Sequence, residues 1–204
     1  MPLADDIRAA MTGGGNLTIE FDPVLNTRAS GSQQVYLHAI PGGVRIDLTA
    51  PGEQETILWL PWRQGELTEL QPYSIQNAAD DTLFFTYYLS GCKVFAIQGG
   101  PVWHIDAPIT VEEFWPQILD DDWVAENWEP GTAQSVAYIR RAGQDPLLWD
   151  LSAYLQGDGP TTYGANNVGQ AIVGGIVTGG MLDFYYQSSP WASLPYSAQV
   201  LKSK

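Results

Sequence analysis

The chain has 204 residues, with 9 Lys and Arg against 23 Asp and Glu, for a formal net charge of −14. That balance excludes a protein built to neutralise nucleic-acid backbones or anionic membranes, because such work needs clustered cations. With 45% apolar, 12% aromatic and only 16% charged residues, the chain can bury a sizeable core and is no disordered acidic tail.

Residues 3–11 read as a short amphipathic helix. Asp5 and Asp6 suit the dipole of its first turn, and Gly13-Gly14-Gly15 ends it. Strands follow at residues 17–21, 35–38 and 44–48; turn residues at 26–34 and at Pro41-Gly42-Gly43 separate them, so the last two predict a hairpin. Residues 57–60 (ILWL) form a continuous apolar run, the pattern of a strand buried on both faces, stopped by Pro61-Trp62. Residues 82–89 (TLFFTYYL) are the clearest strand, built from aromatic and β-branched side chains. Two more strands are expected at residues 93–97 and 102–105, around Gln98-Gly99-Gly100-Pro101.

The period then changes. Thr110 with Glu113 makes a capping box for a helix to about residue 119; residues 121–128 suit a second helical piece, and residues 135–140 alternate as a strand. Residues 147–154 are ambiguous, residues 170–177 are small and apolar, and residues 181–186 predict another strand. No repeat and no linker divides the chain. The expectation is one α+β domain over residues 1–204, a β-sandwich of mixed sheets flanked by short helices and loops. No apolar run reaches the roughly 20 residues of a membrane span, and the N-terminus has no basic-then-apolar signal, so Sec-type export is not expected.

The single cysteine, Cys92, excludes an internal disulfide and any multi-thiolate metal site. A lone intracellular cysteine is commonly a small buried hydrophobe. Its setting suggests more. Cys92 follows a Ser90-Gly91 break that leaves neighbouring backbone N–H groups available as an oxyanion hole, and His104 lies twelve residues on. An imidazole beside a thiol is what an activated cysteine nucleophile requires. A tight turn at residues 98–101 would set His104 opposite Phe95 and leave Cys92 three residues away, roughly 10 Å of strand rise. A simple hairpin therefore does not deliver the pair.

Here the residues match a family. LSGC followed by a histidine resembles the signature of the cytotoxic necrotising factor-type glutamine deamidases. ILWLPW, LFFTYYLSGCKVFA, GGPVWHIDAP and GQAIVGGIVTG are similar to the Burkholderia lethal factor-like toxins among them. The likeness runs from the first helix to beyond Gly180. It implies Cys92 as nucleophile, His104 as base and the backbone carbonyl of Thr86 as the group that orients the imidazole. Asp106 is an alternative orienter, read otherwise as a structural or surface carboxylate. Ser90, Gly91, Trp103 and Tyr163 are the candidates for substrate contacts.

The implied reaction turns a protein glutamine into glutamate, with no metal or organic cofactor. The implied target is the DEAD-box RNA helicase of host translation initiation, with Rho-type GTPases as the alternative. A monomer made in the bacterial cytoplasm and acting in a host cytosol is the corresponding expectation, with a protein substrate and neither nucleic acid nor membrane as partner.

Two rivals remain. Eight Trp and ten Tyr suit a carbohydrate-binding module with Trp62, Trp103 and Trp191 exposed and Cys92 buried and inert, whereas the enzyme needs a solvent-reachable thiol. A binder without catalysis would keep its effect when Cys92 is replaced. Elsewhere, Gly174-Gly175 and Gly179-Gly180 read as close backbone packing and not a phosphate loop. Asp120-Asp121-Asp122 suits a helix N-terminus better than a metal, and His38 reads as structural.

Overall fold

The computed structural model describes residues 2–89, 92–97, 100–106, 148–150, 172–187 and 191–193. Helix α1 (Leu3–Gly13) leads into β1 (Thr18–Phe21), β2 (Gly31–Ile40), β3 (Gly43–Asp47), β4 (Glu53–Leu60), β5 (Leu67–Leu70), the short α2 (Pro72–Gln76) and β6 (Leu83–Thr86). Then come β7 (Lys93–Ile97), β8 (Val102–Ile105), β9 (Leu148–Asp150), β10 (Ile172–Thr178), β11 (Met181–Gln187) and β12 (Trp191–Ser193). The larger sheet has the order β1-β3-β2-β4-β6-β10-β11-β12, and the smaller β5-β8-β7-β9. Pairs β1/β3 and β4/β6 are parallel, so the larger sheet is mixed; the pairs of the smaller sheet are antiparallel. The α+β, strand-dominated class expected from the sequence is what forms. The helical segments at 110–119 and 121–128 and the strand at 135–140 lie outside the described residues.

The apolar runs are continuous because the larger sheet is covered on both faces. Successive side chains of a strand point to opposite faces. Thus Leu58, Leu60, Phe84, Val173 and Val177 pack with Leu70, Val94, Ala96 and Val102 of the smaller sheet. Their alternates Ile57, Trp59, Leu83, Phe85, Ile172 and Ile176 pack with Ile7, Ala10 and Met11 of α1. Burial of each large apolar side chain contributes about 1.5–3 kcal/mol, so Phe84 and Phe85, adjacent in sequence, stabilise two separate interfaces.

Several boundaries differ from the sequence reading, among them the start of β4 at Glu53 in place of residue 57. Polar residues 31–34 are strand, since β2 pairs with β4 from Gly31↔Trp59 onward. Residues 67–70 and 72–76, unassigned from sequence, form β5 and α2. Strand β6 ends at Thr86, well before Leu89, because its parallel partner β4 runs out at Leu60↔Thr86, ahead of Pro61, which has no N–H to offer a ladder. Tyr87 and Tyr88 then turn onto Phe21, with ring centroids 6.3 and 5.2 Å away, and the Tyr88 hydroxyl accepts from Phe21 N at 2.9 Å. This anchors the chain immediately after Thr86.

Gly174-Gly175 packs closely, as expected, but Gly179-Gly180 does not: a Cβ on Gly179 would meet nothing within 4 Å. Gly179 and Gly180, at φ 58° and 75°, make the two-residue turn between β10 and β11 that the mirror-image hairpin geometry demands. A Cβ on Gly175 would lie 3.0 Å from the Asp183 carbonyl oxygen and 3.2 Å from the Phe84 ring. Gly175→Ala is therefore expected to destabilise the fold by about 1–3 kcal/mol. An unchanged melting temperature would show that β10 and β11 have room to move apart.

Candidate active site

The smaller sheet sets the geometry. Strands β7 and β8 pair as Lys93↔Ile105, Val94↔His104 and Phe95↔Trp103. The expected tight turn would have put His104 opposite Phe95. The register is shifted by one residue, and in a strand one residue exchanges the two faces. Cys92, just before β7, consequently stands opposite Asp106, and its Sγ lies 3.8 Å from Asp106 Oδ1. His104 is the diagonal neighbour on the same face, at a Cα spacing of about 7–8 Å. That puts the thiol and the imidazole on one face of the smaller sheet without a bulge.

Thr86 completes the group from the other sheet. Two residues on from Phe84, it faces the smaller sheet, and its Oγ1 lies 2.6 Å from His104 Nδ1. The resemblance implies the Thr86 carbonyl in this role; the atom found against the ring is the hydroxyl. Cys92, His104, Thr86 and Asp106 are 3, 1, 0 and 3% exposed. The thiol is thus not the solvent-reachable one expected of the enzyme, because it sits between two packed sheets.

Burial also sets the charge of His104. Loss of hydration pushes its pKa down to about 3, with the Asp106 carboxylate pulling the other way. The imidazole is therefore neutral at pH 7. His104 Nε2 is buried and has no hydrogen-bond partner among the described residues. When Nδ1–H donates to the Thr86 hydroxyl, Nε2 holds a lone pair and is a base waiting for a proton. Thr86→Val should leave Nδ1 unpaired and cost about 1–3 kcal/mol, whereas Thr86→Ser keeps the hydroxyl. Equal urea midpoints for the two variants would return the orienting role to the carbonyl.

Asp106 is a buried carboxylate tied to a loop. Its Oδ1 accepts from Trp62 Nε1 at 2.8 Å and its Oδ2 from Gly65 N at 2.7 Å. No hydrogen bond joins it to His104 Nε2, so it does not orient that ring nitrogen. Nothing in the sequence signals its link to Trp62, 44 positions away; only the fold reveals it.

Other candidates fall differently. Trp103 is fully buried and, one residue from His104 on β8, faces away from the thiol; it cannot line a cleft beside Cys92. Trp62 is half-buried with its indole N–H committed to Asp106. Neither therefore offers the flat exposed platform of a carbohydrate module, although the burial of Cys92 is what that rival predicts. Ser90, Gly91, Tyr163 and Asp120-Asp121-Asp122 lie outside the described residues, as does the side chain of Trp191. His38 is structural: its Nε2 lies 3.0 Å from Asp47 Oδ1 and 3.2 Å from the Thr49 carbonyl oxygen. Among the described residues, no three His, Cys, Asp or Glu side chains are placed to hold a metal ion, and no helix is long and apolar enough to cross a membrane.

A cysteine and a neutral histidine on one face of a small sheet, with the histidine braced by a hydroxyl from the sheet opposite, are the candidate site of this β-rich α+β protein. The family can be named further. The chain belongs to the Burkholderia lethal factor 1 family, whose model matches residues 1–203, and it is accordingly a toxic effector. A comparison with curated proteins gave no match.

Proposed function

We propose that the chain hydrolyses the side-chain amide of a glutamine on a host protein. One observation carries this reading: His104, braced at Nδ1 and unpartnered at Nε2, shares a face with Cys92. In the proposed cycle His104 Nε2 takes the thiol proton as sulfur attacks the carboxamide carbon. Backbone N–H groups around Cys92 hold the oxyanion. The imidazolium protonates the departing nitrogen, ammonia leaves, and a thioester remains. Water, deprotonated by the same imidazole, adds to the thioester; glutamate forms and the thiol regains its proton.

The chemistry needs no metal or organic cofactor, and a reducing host cytosol would keep the sole thiol available. The favoured target, supported by the whole-chain resemblance, is the DEAD-box RNA helicase of translation initiation, met by the toxin as a monomer. The test is peptide-level mass spectrometry of that helicase after incubation with the protein. Conversion of a single glutamine to glutamate supports the reading. Conversion on a Rho-type GTPase instead keeps the chemistry and replaces the target; no conversion on either leaves a binder without catalysis as the better account.

A further inference from the structure

The Cys92 thiol shares its face of the smaller sheet with Asp106 and His104, and of these two it contacts Asp106, the one that does not suit a nucleophile. Its Sγ is 3.8 Å from Asp106 Oδ1, while His104 Nε2 is buried and has no hydrogen-bond partner among the described residues. The carboxylate is itself fixed. Trp62 Nε1 and Gly65 N donate to its two oxygens, at 2.8 and 2.7 Å, and Asp106 N donates to the Glu66 carbonyl at 3.2 Å. The loop bearing these donors is held in turn. Trp62 N donates to Asn26 Oδ1 at 2.8 Å, and Arg63 donates to the carbonyls of Asn26 and Arg28.

We propose that Asp106 is a positioning residue that holds the Cys92 thiol protonated and turned away from His104 until substrate enters. The inference rests on the deamidase reading for what the thiol does next, but not for how it is held at rest. A carboxylate beside a thiol disfavours the thiolate, because two negative charges would then meet in a site of low dielectric. The same carboxylate favours the imidazolium that forms after proton transfer. Asp106 thus opposes early ionisation of Cys92 and supports the charge on His104 once the sulfur has attacked. The resting site is neutral at Cys92 and His104, and rotation of the thiol towards Nε2 assembles the reactive pair.

Among the described residues, the other titratable groups set around Cys92 are His104 on β8, Tyr186 from the larger sheet, and Glu66, which stands opposite Asp106 with its side chain exposed. Asp106 is the carboxylate in contact with the sulfur.

The chain holds one cysteine, so a sample labelled with 13C at cysteine Cβ gives one resonance whose titration reads this thiol alone. In the wild type the midpoint should lie above the ordinary value of about 8.5. Asp106→Asn should lower the midpoint by about one unit or more. Trp62→Phe, which loosens the same loop but keeps the charge, should leave the midpoint at or above the wild-type value.

A wild-type midpoint below about 8.5 overturns the proposal even if Asp106→Asn does not fold. An unchanged midpoint in Asp106→Asn, or a fall in both variants, overturns it as well. No substrate is present in these titrations, so they stand or fall separately from the mass-spectrometric test of deamidation.

Discussion

Replacing Cys92 with serine is expected to remove glutamine conversion on the target, with the rate falling by about 10³-fold or more. A serine hydroxyl is far less acidic than a thiol, and the neutral imidazole of His104 is too weak a base to compensate without the triad-like activation that serine enzymes use. The fold should survive. The hydroxyl is smaller than the thiol and can donate to Asp106, which already receives the thiol. Wild type and variant should therefore show the same near-ultraviolet circular dichroism and similar melting temperatures, while ammonia release and the mass change of the target vanish together. Toxicity that persists in Cys92→Ser would sink the catalytic reading and assign the effect to binding.

The second large effect is on stability against pH. His104 is neutral in the fold because burial holds its pKa near 3, whereas in the unfolded chain it titrates near the usual 6.5. Below that value the unfolded state takes up a proton that the folded state refuses, so stability falls as the pH drops. The contribution is complete above about 6.5, and at roughly 1.4 kcal/mol per unit it is lost progressively down to about pH 3. Between pH 7 and pH 4 the wild type should lose about 3 kcal/mol more than His104→Gln, which has nothing to titrate at this position. Urea unfolding of both proteins across that range measures the difference. Parallel curves would mean that the folded imidazole is charged and paired with Asp106, and the resting site would then be ionic.

Much of the architecture was legible because the two-sided sheet writes itself into composition. Residues 57–60 and 83–85 are unbroken apolar runs, and no half-exposed strand could tolerate that many. The register of β2 with β3 follows from the Pro41-Gly42-Gly43 turn, which is local. What was not legible is non-local. Ser32, Gln33 and Gln34 have no strand signature and become strand only because β4 supplies the ladder. Strand β6 stops at Thr86 because a partner ends there, whereas TLFFTYYL by itself continues.

The site divides in the same way. The order of chemistry along the chain, a Ser-Gly break, a lone cysteine and a histidine twelve residues on, belongs to the sequence alone, and it was enough to nominate Cys92 and His104. Spacing could not decide whether the two side chains share a face. A strand alternates with a period of two, so the pairing of His104 with Val94 instead of Phe95 moves the imidazole from the far side of the sheet to the thiol's side. The Thr86 hydroxyl on Nδ1 and the Trp62 indole on Asp106, 18 and 44 residues from their partners, likewise exist only after the two sheets and the loop beside them have packed. Composition determined that both faces of the large sheet would be buried. Register, which depends on the length and path of a turn and on strands far away in the chain, decided which groups meet between the sheets.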